Sequence, residues 1–170
     1  MRIRILAALG AAALATTTAL AAVPVQAAPA KTLVFDVDLT SAGTTLETLP
    51  GDITYGWNDL QGPTRWGKSS AQMRFLGSVD YVDGTGPFGG FVTVTRADGV
   101  KIALSVSGWS TSPQDQTGTA NATFRGTLTV IGGTGPYAGA TGTGTMQGFR
   151  KQALGSPVEL SFSVVVQKRK

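Results

Sequence analysis

Four aromatic side chains are the groups in this chain best suited to hold a small ligand. Trp57 and Trp66 flank Gln61-Gly62-Pro63, which reads as a turn, and Trp109 ends an alternating apolar run. Aromatic residues at strand ends offer apolar area with a polar N–H at its edge, a combination that lines cavity mouths. The same residues could equally plug the ends of a core. Tyr81 shares a parity with Met73, Phe75 and Val79, so it faces an apolar layer where its hydroxyl needs a partner. That makes it the one group placed to donate a proton or orient a substrate, although a purely structural tyrosine would read alike.

The charged residues say less. Arg74, Asp80 and Arg125 lie on the parity opposite to the apolar rows, which reads as an exposed charged face. Were the polar side turned inward, the three would form a reactive cluster. Asp36 and Asp38 stand two apart on one strand face, roughly 6.5–7 Å along it. That spacing could serve a metal or an acid–base pair, and an exposed face explains it as well. No catalytic residue can be assigned from these positions.

What is missing narrows the chemistry further. The chain contains neither His nor Cys. Ser-His-Asp and Cys-His nucleophile systems, His-ligated zinc and disulfides are therefore excluded, and no cofactor or metal is expected. Lys and Arg number 14 against 10 Asp and Glu, a net charge of +4. Arg2 and Arg4 sit in the leader, and Lys168-Arg169-Lys170 form the terminus, so the rest of the chain carries no basic face. A nucleic-acid partner would need one, with aromatics interleaved.

The elements that must position these residues read as strands throughout. Period-2 alternation marks Lys31–Thr40, Ile53–Asn58, Gln72–Asp83, Gly90–Ala97, Val100–Trp109, Asn121–Ile131, Ala140–Arg150 and Val158–Gln167. Asp98-Gly99 is a hairpin turn. Ser41–Asp52 and Trp109–Thr119 read as long loops. Eight antiparallel strands can close into a barrel with room for one small ligand; a sandwich is the competing arrangement. In Ala140–Arg150, Gly142, Gly144 and Gly148 fall on one parity, a row that predicts a bend or the close approach of a neighbour or ligand.

One segment occurs twice. Gly84-Thr85-Gly86-Pro87-Phe88-Gly89-Gly90 returns as Gly133-Thr134-Gly135-Pro136-Tyr137-Ala138-Gly139. Each copy follows one strand and opens another, so Gly84, Gly86, Gly133 and Gly135 read as structural joints. The second copy lacks the Gly-Lys-Ser/Thr ending and the following helix of a phosphate-binding loop.

Residues 1–27 read as a signal peptide that is cleaved. Arg2 and Arg4 form a basic start, Ile5 to Val23 an apolar run, and Val25-Gln26-Ala27 a small-residue cleavage site. Residues 28–170 then form a single exported domain with no further membrane association.

The run Thr129-Val130-Ile131-Gly132-Gly133-Thr134-Gly135-Pro136-Tyr137-Ala138-Gly139-Ala140-Thr141-Gly142 resembles the hallmark segment of allene oxide cyclase-like and dirigent-like barrels, and the secreted layout is that of a bacterial-type member. The resemblance implies an all-β, eight-stranded, antiparallel calycin-like barrel, commonly a homo-oligomer, that uses its interior. It also implies shape control over a reactive apolar substrate, as in epoxide cyclisation, phenoxy-radical coupling or cycloaddition, without nucleophile or metal. No catalytic residue of those families falls within the matching segment. The resulting expectation is a secreted barrel that binds a small apolar molecule in its lumen and guides its cyclisation or coupling. The alternative is a non-catalytic extracellular module that presents its loops to a glycan, a surface or an inhibited protein. A lumen lined by tyrosine, tryptophan and a lone charge favours the first, and a lumen filled by Leu, Val and Phe favours the second.

Overall fold

The computed structural model describes residues 29–112, 121–150 and 156–169. The leader and its cleavage site, the centre of the loop after Trp109, and residues 151–155 lie outside them. Eight strands follow in chain order: β1 Lys31–Leu49, β2 Ile53–Trp66, β3 Ser69–Val82, β4 Gly86–Arg96, β5 Lys101–Thr111, β6 Ala122–Gly133, β7 Thr141–Arg150 and β8 Val158–Gln167. Each pairs antiparallel with the next, and β1 pairs with β8, so the sheet closes into a barrel.

Closure follows from the alternation. Leu33, Phe35, Val37 and Leu39 of β1 point inward beside Leu160, Phe162 and Val164 of β8, and form one buried core with Ile102 and Leu104 of β5 and Val92 and Val94 of β4. Burying these rows supplies the driving force, at about 25 cal/mol for each Å² of apolar surface removed from water. The lumen is thus the apolar side. Arg74, Asp80 and Arg125 lie exposed outside it, which disposes of an inward-facing charged cluster.

The glycine row of β7 faces a neighbouring strand. A Cβ on Gly142, Gly144 or Gly148 would stand 2.1 Å from the carbonyl oxygens of Val165, Ser163 and Glu159 on β8. The missing side chains let the β7 backbone turn this face against β8.

Two expectations about connections are corrected. Ser41–Asp52 is not a loop: Ser41–Leu49 continues β1 past the barrel rim and pairs with Ile53–Leu60, with a bulge between Ser41 and Gly43. Its high proportion of exposed Thr, Ser and Gly hid the strand, because this arm has few apolar residues to alternate. Gln61-Gly62-Pro63 is not a turn but the middle of β2. Gly62 is required because a Cβ there would lie 2.1 Å from the Asp38 carbonyl. Pro63 falls beyond the last β1–β2 pair, where Thr64 gives its hydroxyl to the Asp36 carbonyl at 2.8 Å instead.

Candidate functional site

The two ends of the barrel differ. At one end, Trp66 terminates β2 and lies against Phe35 and Tyr137, with ring centroids 5.7 and 5.0 Å away. Tyr137 belongs to the short 3-10 turn Gly135–Tyr137 of the second glycine-rich copy. Arg96 stacks over the Trp66 ring at 5.6 Å, and Lys168 lies 4.7 Å from the Tyr137 ring centroid. This end is sealed.

At the other end a cavity of about 50 Å³ opens among Phe75, Tyr81, Phe88, Phe124, Met146, Arg150, Val158 and Leu160. The arm formed by β1 and β2 leans over it and contributes Leu46, Asn58 and Leu60. A water needs roughly 10–15 Å³ by this measure, so the space holds a few atoms as it stands. Phe75, Phe88 and Phe124 are buried, whereas Leu46, Leu60 and Val79 are only half-buried. The half-buried three form the more solvent-exposed part of the wall.

Asn58, Ser78, Tyr81 and Arg150 interrupt this apolar lining, and the last two are the buried ones. Tyr81 is 5% exposed and its hydroxyl bonds with Ser110. Ser110 Oγ also donates to the Gly84 carbonyl at 2.8 Å, which anchors it beside the Tyr81 hydroxyl. Burial pushes the Tyr81 phenol up to about 12, partly countered by Ser110 and by the Arg150 charge. It is a neutral phenol at physiological pH. Arg150, 8% exposed, closes the opposite side of the cavity with its guanidinium 5.9 Å from the Phe124 ring. Burial lowers its pKa while Tyr81 raises it, and a guanidinium stays charged through such shifts. The site therefore combines a permanent cation and a neutral phenol within an aromatic wall. It can hold an oxygen carrying partial or full negative charge while apolar side chains surround the rest of a ligand.

The first glycine joint builds this site. Phe88 of that copy stands between Phe75 and Phe124, edge-on to both at 6.3 and 5.9 Å. Gly84 (φ +72°) lies so close to Ser112 that a Cβ would come within 2.9 Å of it, and Thr85 Oγ1 accepts the Ser112 N–H at 3.0 Å. A Cβ on Gly86 would lie 2.2 Å from the Asp80 carbonyl. In the second joint, Gly133 packs on Tyr137 and Lys101, and Gly135 (φ +55°) opens the 3-10 turn, where Thr134 Oγ1 accepts the Lys101 N–H at 2.8 Å.

Of the four aromatic ligand candidates, the cavity gathers only Tyr81. Trp66 lies at the sealed end, and Trp57 and Trp109 stand on the outer surface, 61% and 54% exposed. Parity decides this outcome: Trp57 pairs with outward-facing Ser78, and Trp109 with outward-facing Arg125. Arg150 was missed because it ends a strand whose other inward positions are mostly glycine. The inward parity of Gly148 and Met146 was the available signal. Among the described residues no cluster of three or more His, Cys, Asp or Glu is placed to hold a metal.

No family model matches the sequence, and no curated protein does so either. The fold is nonetheless similar to a solved structure, that of a pterocarpan synthase dirigent protein, with a TM-score of 0.57 over 91% of this chain and 98% of that one, at 13% identity. At that identity the likeness concerns architecture alone: this chain folds as a dirigent-like β-barrel.

Proposed function

We propose that this protein is an exported barrel that receives a small, largely apolar molecule at its mouth and guides its coupling or cyclisation. The observation that carries the proposal is the placement of Tyr81 and Arg150, both buried, in one largely apolar cavity. Together they fix one oxygen of the ligand. Phe75, Phe88, Phe124 and Met146 then restrict which conformers fit. Such a site acts by orientation and electrostatic stabilisation of a reactive species rather than by nucleophilic attack. The dirigent protein of similar fold is described as a pterocarpan synthase, and a shape-controlled ring closure or coupling is the activity this cavity would support. Export rests on the leader at residues 1–27. Self-association through the outward apolar group Trp57, Leu76 and Phe91 belongs to the same proposal, and sedimentation of the purified protein tests it.

The binding step is tested by calorimetric titration with a phenol bearing a conjugated side chain and, separately, with a polyunsaturated fatty acid. Saturation at one ligand per chain is expected, as an eight-stranded barrel has room for one. Arg150→Leu should weaken binding at least tenfold and Tyr81→Phe by a smaller factor. Absence of saturable binding by either compound class would contradict the reading. The non-catalytic alternative draws on a different observation, the outward placement of Trp57 and Trp109.

A further inference from the structure

On the outer wall, one cross-strand rank runs Trp109, Arg125, Gln147, Ser161 and Asp36, each directly opposite the next across β5, β6, β7, β8 and β1. Asp38 stands two residues along β1 on the same outward face. At about 4.8 Å per strand the rank covers roughly 19 Å of the wall. Two open depressions of about 380 and 420 Å³ lie along it and share Arg125 as a common boundary.

The charges here differ from those elsewhere on the surface. Arg74 is bound through two hydrogen bonds to Asp59, and Arg96 in the same way to Asp98. Among the described residues, the side chains of Arg125, Gln147, Asp36 and Asp38 make no hydrogen bond or ion pair with the protein. A partner for this rank must accept from Arg125, donate to Asp36 and Asp38, and do both for Gln147. A polyanion would be repelled by these two carboxylates and by Glu159, which lies opposite Asp38 and lines the same depression, and a polycation would leave the Arg125 donors without an acceptor. A neutral polyhydroxyl chain satisfies all four, because every hydroxyl both donates and accepts and the chain brings no charge of its own to be desolvated. Trp109 adds an exposed ring whose electron-rich face attracts the polarised C–H face of a sugar.

We infer that this outer rank is a binding groove for a neutral polysaccharide, separate from the mouth of the barrel. The groove is shallow and open along the wall, which suits the interior of a chain rather than its end. It anchors the exported barrel to a glycan while the lumen remains free.

The purified exported protein is titrated with cellohexaose, xylohexaose, mannohexaose and chitohexaose while tryptophan emission is followed, with heparin as the anionic control. At least one neutral hexasaccharide should bind with a blue shift, and heparin should bind more weakly. Trp109→Ala and Arg125→Ala should each weaken binding at least tenfold with unchanged melting temperature, since both side chains are exposed. Trp57→Ala and Arg150→Leu should leave it unchanged, and the latter separates a failure of the groove from a failure of the mouth. No binding of any neutral hexasaccharide would overturn the inference. So would binding that survives both groove substitutions, or a preference for heparin.

Discussion

Phe88 and Tyr137 are equivalent residues of the two glycine-rich copies, and they close opposite ends of the same barrel. Phe88 enters from the start of β4 and forms a wall of the mouth cavity, whereas Tyr137 enters after β6 and packs under Trp66. The repeated sequence turns an aromatic ring inward in both places but on different backbones, a strand start at Gly86 and a 3-10 turn at Gly135.

Substituting the two rings should therefore separate ligand size from stability. Phe88→Leu enlarges the cavity and should shift preference toward bulkier ligands. Tyr137→Leu should lower the melting temperature and leave ligand preference unchanged. Each costs on the order of 1–3 kcal/mol, and paired thermal melts and titrations distinguish them.

The joints should differ in tolerance as well. Gly86→Ala places a methyl group 2.2 Å from a backbone carbonyl that cannot move without opening the β3–β4 hairpin. It should cost at least about 2 kcal/mol. Gly135→Ala meets only Val100, at 3.5 Å, and carries the left-handed backbone penalty of about 1–2 kcal/mol. Denaturant unfolding of the two variants checks the order, and a smaller loss for Gly86→Ala would reverse the account of the joint.

Much of this architecture was legible because the inward rows of β1, β3, β5, β6 and β8 alternate cleanly. Val158–Gln167 has the same bounds in sequence and structure, as its inward positions are all large and apolar. The arm Ser41–Leu49 was not legible, because a strand paired on one side outside the core needs no apolar alternation. The site was half legible. Tyr81 declared itself by sharing parity with Met73 and Phe75, whereas the positions of the tryptophans did not show. Strand parity and bond register, set by distant partners, place Trp57 and Trp109 on the outer wall and not in the lumen. Arg150 becomes meaningful only once closure brings β7 round to face β3.

Trp66 offers a sharper test of packing. Its indole N–H is buried without a hydrogen-bond partner among the described residues, a situation that costs about 1–3 kcal/mol. Trp66→Phe removes that cost together with some ring area. The melting temperature should change little, in contrast to the 3–5 kcal/mol typical of truncating a buried tryptophan to Ala. A loss above about 3 kcal/mol would show that the N–H has a partner after all.

Alkaline pH should report on Tyr81. Its phenol titrates near 10 when unfolded and is pushed up to about 12 in the fold. Below pH 10 both states are protonated and its contribution is constant. Between pH 10 and 12 the unfolded chain has released the proton and the folded chain has not, so stability falls with pH. The loss is about 2 to 3 kcal/mol over that window. Urea unfolding at pH 9, 10 and 11 should show a decline that is shallower in Tyr81→Phe; parallel declines would place the tyrosine in a more open environment.

The central claim is that ligand oxygen meets Arg150 and Tyr81 inside the mouth. The most direct measurement is an NMR titration of the labelled protein with the phenolic ligand, following the Arg150 Nε–H and the rings of Tyr81, Phe88 and Phe124. These resonances should shift together and saturate at one equivalent, with those of Trp66 and Trp57 unmoved. In Arg150→Leu, with its fold checked by the melting temperature and the undisturbed Trp66 resonances, the ring shifts should require at least tenfold more ligand. Saturable shifts confined to the outer wall, or ring shifts unaffected by Arg150→Leu, would contradict the account.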